Sequence, residues 1–278
     1  MPDADRQAVA EELKAPVTLT LNNRRSIVGH PIDVSEEQLQ LASADGAGEI
    51  VFTFDHDEIE TIKFSGDGYK TLAMEWLDAG ETMKALDLMD LLYRQRKALL
   101  PILPPSESNF FVLYIPLILD SPDPARAIGV GARLRPQIEN PSARRALDNA
   151  ILESYQRLEM FEEAASMAKT WVGEREPYGD SALGYYVLGS DHLRRADYES
   201  ALDLALQPIV FSSLLPGDKL GHCYALAISA ALELRDYEHA ALLHEEMQAR
   251  GFLWPEDDST LEPYLAKIKQ HLTDHEVD

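Results

Sequence analysis

The stretch that most constrains the fold of this chain runs from residue 184 to residue 208 and reads GYYVLGSDHLRRADYESALDLALQP. Tyr185, Leu188 and His192 recur at helical spacing in its first part. The sequence RRADYESA then interrupts the pattern, and a new apolar stripe begins at Ala201. Two stripes separated by a turn predict a hairpin of two antiparallel helices rather than one long helix.

The same arrangement recurs along the chain when Ala201 is taken as the reference position. Four other alanines also follow a turn and begin an apolar stripe, and the spacings between successive anchors are 42, 37, 37 and 39 residues. In chain order, the five anchor alanines are Ala85, Ala127, Ala164, Ala201 and Ala240. We therefore predict five helical hairpins, with residues 259–273 as a capping helix. In the second hairpin, Pro116 is expected to kink the first helix because it lacks a backbone N–H.

The hairpin at residues 184–208 resembles a tetratricopeptide repeat. The resemblance rests on the Leu188-Gly189 pair, on Tyr198 at the start of the second helix, and on Ala201 within it. It implies a solenoid of stacked hairpins whose inner face binds a protein or peptide partner. The residues expected to line this face, and therefore the candidate partner-binding residues, are Lys70, Asn149, Glu153, Tyr186 and Ser190, followed by Ala225 and Ser229.

Residues 17–64 have the period-two alternation of β-strands. The segment VTLTL places Val17, Leu19 and Leu21 on one side, and GEIVFTF repeats the pattern with Ile50, Phe52 and Phe54. Turn-forming residues separate five such segments, which predicts a small closed or half-open β-barrel. The predicted fold class is α+β and multidomain: a five-stranded β-barrel followed by an all-α, tetratricopeptide-like hairpin solenoid.

The predicted domain organisation follows from this change of periodicity. Residues 1–16 form an N-terminal helix or a disordered arm, and residues 17–66 form the barrel. Residues 67–273 form the five hairpins and the capping helix, and residues 274–278 form a tail.

The order of features in residues 17–66 is similar to that of the Sm-like and SH3-like small barrels. The shared features are a polar turn after the first strand, Gly29 in a bending second strand, Asp33 before QLQL, and a short turn at DHDEI. If the chain bound RNA as Sm-like proteins do, the resemblance would imply basic or amide side chains in the loops at IDVSEEQ and FDHDE. Here those loops are acidic, which disfavours RNA binding and ring assembly; they contain Asp33, Glu36, Glu37, Asp55, Asp57 and Glu58.

The charge of the whole chain points in the same direction. It has 25 basic and 48 acidic residues, and its formal net charge is −23. Residues 1–66 contribute 5 basic and 13 acidic side chains, and residues 67–278 contribute 20 and 35, so neither predicted domain offers an evident basic surface. Such a charge repels phosphate backbones and anionic lipid surfaces, so we expect no nucleic-acid or membrane partner.

A cytoplasmic location is expected from three observations. The single cysteine, Cys223, excludes an internal disulfide and is typical of a reducing compartment. The N-terminal segment lacks the apolar core of a signal peptide. The longest apolar stretch, residues 110–119, has about half of the ~20 residues that a membrane-spanning helix needs.

Motifs that carry chemistry are scarce. The sequence has no glycine-rich phosphate loop, no HExxH, no G-x-S-x-G and no paired cysteines. The acidic segment FDHDEIE could hold a cation, but it lacks the spacing of a calcium loop, which favours a solvated acidic turn. His271 and His275 lie four residues apart and could bind a transition metal, although a plain C-terminal tail is favoured. Cys223 is expected to be a small buried hydrophobe rather than a nucleophile.

These observations lead to an expected function. The chain is expected to be a non-catalytic protein-interaction module or scaffold, without metal or cofactor, that holds a protein or peptide partner in the concave face of its solenoid. Two alternatives remain open. One is an enzyme with a scattered active site, and the other is a nucleic-acid binder that uses the barrel, which the net charge disfavours.

Overall fold

The structure is a computed structural model that describes residues 1–45, 48–174, 181–211, 219–256 and 258–271. The chain divides into two compact units, Met1–Ile151 and Leu152–Asp278. The predicted boundary at residue 66 lies inside the first unit, and the predicted domain limits stay a prediction. The predicted tail at residues 274–278 lies outside the described residues.

The first unit begins with one helix and five strands, and short helices complete it. Its elements are α1 (Asp3–Glu12), β1 (Val17–Leu21), β2 (Ser26–Val34), β3 (Gln38–Asp45), β4 (Gly48–Asp55), β5 (Ile59–Lys63), α2 (Gly68–Asp78), α3 (Thr82–Arg96), α4 (Pro105–Phe110), α5 (Tyr114–Leu119) and α6 (Arg126–Leu134). Short 3-10 helices lie at His56–Glu58, Lys97–Ile102, Phe111–Leu113 and Arg135–Gln137.

Helix α7 (Pro141–Arg157) begins in the first unit and ends in the second. The remaining helices are α8 (Phe161–Glu174), α9 (Leu183–Arg194), α10 (Tyr198–Phe211), α11 (Leu220–Glu233), α12 (Tyr237–Ala249) and α13 (Glu262–His271). This α+β architecture, with five strands followed by helices, confirms the predicted fold class. No helix in the described part of the chain is long and apolar enough to cross a bilayer.

The five strands form one antiparallel sheet in the order β4-β3-β2-β1-β5. The prediction of five strands is therefore confirmed, but the sheet is not closed, because its outer strands β4 and β5 do not pair with each other in the described residues. Gly29 has a packing role in this sheet. A Cβ atom there would lie 2.4 Å from the carbonyl oxygen of Ala42, so only glycine lets β2 approach β3 this closely.

The apolar side chains on one face of the sheet are buried and belong to the core of the first unit. Val17, Leu19 and Leu21 are buried as the alternation predicts, together with Leu39, Leu41, Phe54 and Ile62. Burial declines along β4 toward its first residue, Gly48: Phe54 is 7% exposed, whereas Ile50 is 42% exposed. The inner face of β4 is thus only partly covered.

An ion cluster connects the end of the sheet to the first helices. Arg96 is fully buried, its guanidinium lies 4.3 Å from the Phe64 ring centroid, and its Nε donates to Glu107 Oε2 at 2.7 Å. Lys70 donates to the other oxygen of Glu107. A buried charge is stable only when it is paired in this way, so the cluster fixes α3 and α4 against the sheet.

Four helix-to-helix turns share one backbone geometry. The residue five before the anchor alanine has positive φ in each: Gly80 (76°), Glu159 (55°), Ala196 (59°) and Arg235 (61°). The next N–H in the chain bonds back to the carbonyl five residues earlier, as from Asp197 to His192 at 2.9 Å. This is the Schellman arrangement, which ends the first helix and starts the second at a fixed angle. The same turn therefore recurs at the α2–α3, α7–α8, α9–α10 and α11–α12 junctions.

The five anchor alanines, Ala85, Ala127, Ala164, Ala201 and Ala240, are all fully buried. At the α9–α10 hairpin, a Cβ on Gly189 would lie 3.3 Å from the carbonyl oxygen of Ala201, which reflects a close helix crossing. The turn before Ala127 differs from the other four, because its bonds run from Ser121 to Ile118 and from Ala127 to Pro124.

The first helix of the predicted second hairpin is interrupted. It is split into α4, the 3-10 turn Phe111–Leu113 and α5. Pro116 has no N–H to bond the carbonyl of Val112, which lies within that turn, so the break falls one turn before the proline.

Candidate binding cleft of the second unit

The second unit contains a cleft of about 200 Å³ on the first helices of its hairpins. The C-terminal end of α7, the first turns of α9 and α11, and the segment before α13 form its walls. The lining residues are Glu153, Gln156, Arg157, Glu159, Phe161, Leu183, Tyr186, Lys219, His222, Asp258, Ser259 and Thr260. Helix α9 packs against α8 and α11.

A tyrosine–aspartate pair forms the floor of this cleft. Tyr186 is 2% exposed, and its hydroxyl donates to Asp258 Oδ2. Asp258 Oδ1 accepts the backbone N–H groups of Thr260 at 2.9 Å and Leu261 at 3.2 Å. Burial raises the pKa of Tyr186 well above its usual value, and the negative charge of Asp258 raises it further. Tyr186 is therefore a neutral donor, and both oxygens of Asp258 are engaged.

A second contact fixes the segment before α13. Arg194 donates from Nη1 to Thr260 Oγ1 at 3.3 Å, and its guanidinium lies 3.8 Å from the Phe161 ring centroid. Burial lowers the pKa of Arg194, and the nearby Asp191 partly offsets this effect. The arginine thus joins α9 to α8 and to the segment before α13 by a cation–π contact and a hydrogen bond.

The polar side chains at the cleft mouth are of mixed charge. Arg157 Nη2 donates to Glu153 Oε1 at 3.4 Å, and Lys219 Nζ lies 3.9 Å from the same oxygen. The His222 ring meets the Tyr186 ring edge to face at 5.2 Å. Gln156 Nε2 is buried and has no hydrogen-bond partner among the described residues. The cleft therefore offers the Lys219 ammonium and the Gln156 amide donor beside the aromatic surface of Tyr186.

Lys219 occupies an unusual backbone position at the start of α11. Its φ is 60°, in the left-handed region that non-glycine residues adopt at a cost of about 1–2 kcal/mol. The φ of Lys219 thus fixes the direction from which its side chain enters the cleft.

Two of the five predicted partner-binding residues line the cleft, Glu153 and Tyr186. Ser190 lies one turn beyond Tyr186 and is fully buried. Lys70 and Asn149 belong to the first unit. Lys70 pairs with Glu107, and its Nζ lies 3.4 Å from Asp67 Oδ1. Asn149 is half-buried on α7. The assignment of these residues to partner binding stays a prediction.

Sequence reasoning missed Gln156, Lys219, His222 and Asp258 as cleft residues. A signal existed only for Asp258, because the run Asp258-Ser259-Thr260 before an apolar helical pattern is typical of a helix start. Ala225 and Ser229, also predicted for the inner face, are fully buried, and the Ser229 hydroxyl donates to the Ala225 carbonyl at 2.7 Å.

The other features weighed in the sequence have structural contacts. Asp55 and Glu58 form a capping box around the 3-10 turn, with the Asp55 N–H donating to Glu58 at 3.0 Å. Cys223 is fully buried, with its sulfur 3.9 Å from the Ala182 carbonyl oxygen. His275 and the side chain of His271 lie outside the described part of the chain. Within that part, no group of three or more His, Cys, Asp or Glu residues is arranged to hold a metal.

Comparison with known proteins adds no relative. No family model matches the chain, and no curated protein matches it either.

Proposed function

We propose that the chain is a non-catalytic interaction module whose second unit binds a short segment of a partner protein in the cleft between α7, α9 and α11. The observation that carries this proposal is the pair of hydrogen-bond donors that line the cleft, the buried Gln156 amide on α7 and the Lys219 ammonium at the start of α11. A peptide presents backbone carbonyls at regular intervals and needs donors spaced along a groove to accept them.

The hairpin geometry supports a tetratricopeptide-like array. The repeated Schellman turn and the fully buried anchor alanine are the features that such an array needs in order to stack hairpins. For the N-terminal part, α1 followed by the strand order β4-β3-β2-β1-β5 and a 3-10 turn before β5 supports the likeness to Sm-like and SH3-like folds.

Binding is favoured over catalysis because two titratable groups of the cleft, Tyr186 and Asp258, are engaged in hydrogen bonds within the protein. Tyr186 is held neutral, and Asp258 accepts hydrogen bonds on both oxygens. A general base needs a lone pair directed at substrate, whereas Tyr186 stays protonated and Asp258 already accepts three hydrogen bonds from the protein. Nucleic acid is disfavoured by the net charge of −23. A cytoplasmic location belongs to the same proposal.

Panning of the immobilised full-length protein with a phage library of random linear peptides tests this proposal. Enriched peptides are then synthesised and titrated by calorimetry against the native protein and Lys219→Glu. We expect the variant to raise Kd at least about tenfold, or about 1.4 kcal/mol, because it replaces a donor by an acceptor of peptide carbonyls. Gln156→Leu should weaken binding in the same direction.

The matched control is Lys84→Glu, the same charge reversal at a partly exposed lysine of the first unit, whose Nζ lies 3.1 Å from Glu81 Oε1. It should leave peptide affinity unchanged. Failure of the panning to enrich any peptide, or equal affinity of Lys219→Glu and the native protein, contradicts the proposal.

A further inference from the structure

Strand β4 lies at one edge of the sheet and carries exposed apolar side chains. Val51 is 53% exposed and Ile50 is 42% exposed, while Phe52 is half-buried. In the described residues, β4 pairs only with β3. A long apolar edge strand with unpaired backbone groups is a template for another strand, and proteins normally protect such edges with charge, proline or a bulge. Strand β4 has none of these between Ile50 and Phe54.

The ladder defines which backbone groups of β4 point outward. The register from Gln38↔Asp55 to Asp45↔Gly48 is continuous, and the His56 N–H bonds the Glu37 carbonyl. In an antiparallel strand the N–H and C=O of one residue point to the same side, and successive residues alternate. Residues of even number therefore bond β3, and the N–H and C=O groups of Glu49, Val51 and Thr53 point away from the sheet.

The opposite edge of the sheet is not equivalent. Residues Ile59, Glu60 and Thr61 of β5 line a cavity together with a segment that contains Pro101, Pro104 and Pro105. That segment lies against β5, and its prolines supply no N–H groups to extend the ladder. A head-to-tail chain of copies, which would join β4 of one copy to β5 of the next, is thereby obstructed.

We infer that β4 pairs with β4 of a second copy of this chain, in an antiparallel two-fold dimer centred on Val51. Residues whose backbone groups point outward on one copy of β4 must lie opposite such residues on the other copy. In β4 these are the odd-numbered residues, so the two-fold axis must pass through a residue and not between two residues. An axis at Phe52 sets Glu49 opposite Asp55 twice, and like charges directly opposite each other are unfavourable. An axis at Val51 sets Glu49 opposite Thr53 and Ile50 opposite Phe52, and it forms about six backbone hydrogen bonds.

This pairing extends the sheet across both copies and covers Ile50 and Phe52, the inner-face residues that β4 leaves partly exposed. Each copy carries a net charge of −23, so long-range repulsion opposes the dimer and salt strengthens it by screening. The surface lies in the first unit and is independent of the peptide cleft proposed above.

Sedimentation equilibrium of the full chain tests the inference, with Val51→Lys as the main variant. The native protein, of 31.1 kDa, should show a monomer–dimer equilibrium that shifts toward the dimer between about 0.05 and 0.5 M salt. Val51→Lys should raise the dimer Kd at least about tenfold, because two ammonium groups meet at the axis. Val28→Lys is the matched control: Val28 is 52% exposed, but it lies on an inner strand, paired with Thr18, and should leave Kd unchanged.

Val51→Pro is the second variant. It removes an outward N–H and leaves every β3–β4 hydrogen bond in place, so the monomer should keep its circular dichroism spectrum while the dimer is lost. A native protein that stays monomeric at about 100 µM in 0.5 M salt overturns the inference. So do assemblies larger than a dimer, or a Val51→Lys variant that dimerises as the native protein does.

Discussion

Helix α6 carries two glycines two residues apart whose replacement by alanine should have opposite effects. A Cβ on Gly129 would meet nothing within 4 Å. A Cβ on Gly131 would lie 2.5 Å from Ile151 Cγ1 and 2.8 Å from Ile151 Cδ1. Ile151 is 5% exposed and β-branched, so it cannot turn aside without disturbing the surrounding core.

The magnitude follows from two effects. Alanine in place of glycine inside a helix stabilises by about 1 kcal/mol, and both variants gain this. Overpacking a close helix contact costs about 1–3 kcal/mol, and only Gly131→Ala incurs it. Gly129→Ala should therefore raise the free energy of unfolding by about 1 kcal/mol, and Gly131→Ala should be less stable than Gly129→Ala by about 1–3 kcal/mol.

Urea unfolding followed by circular dichroism measures the difference, provided that both variants keep the native m value. Because the two substitutions are chemically identical and share one helix, their difference isolates the contact with Ile151. Equal stabilisation by both variants would refute the argument, since it would mean that the helices do not approach each other closely at Gly131.

Three further outcomes are expected. In urea melts, Ala201→Leu should lower the free energy of unfolding by about 1–3 kcal/mol, because this anchor alanine is fully buried at a helix crossing. Asp203 is exposed on the same helix, so Asp203→Leu should change the free energy of unfolding by less than about 0.5 kcal/mol. Ala196→Gly should raise the free energy of unfolding by about 0.5–1 kcal/mol, because alanine is strained at a φ of 59° and glycine is not. Ala146→Gly, at an exposed position of α7, should lower it by about 1 kcal/mol. In gel-shift assays at ordinary salt, the protein should not retard single-stranded RNA or DNA; salt-sensitive retardation at micromolar protein would contradict this.

The elements that sequence predicts well are those fixed by local patterns. Helices α8, α10 and α12 begin at Phe161, Tyr198 and Tyr237, the aromatic residues three positions before their anchors. The alternation at Val17, Leu19 and Leu21 likewise matches their burial. Both patterns are local because a period of 3.6 or 2 residues is set by the backbone itself.

Closure of the sheet could not be read in the same way. A period of two predicts which side chains share a face, but it does not say which strand edges pair, because pairing joins residues that are distant in the chain. Gly29 and Pro31 indicate an irregular β2, and the register does shift between Pro31 and Asp33, but these residues do not indicate which strand edges pair.

The cleft was predictable only in part for a related reason. Its walls come from four places in the chain, and the contact between Tyr186 and Asp258 joins residues 72 positions apart. Hairpin periodicity gave Glu153 and Tyr186, which lie on regular helical faces. Lys219 and Asp258 lie at the irregular starts of α11 and α13, where the direction of the side chain depends on backbone angles that no repeat specifies.

The most direct measurement for the central claim is photo-crosslinking of a panned peptide that carries a benzophenone side chain, followed by mass spectrometry of the linked fragments. A peptide bound in the cleft should link to residues 153–161, 183–186 and 219–222, and excess unlabelled peptide should abolish the links. Links confined to the strands of residues 17–63, or links that persist unchanged in Lys219→Glu, would contradict the claim that the second unit is the partner-binding part of this protein.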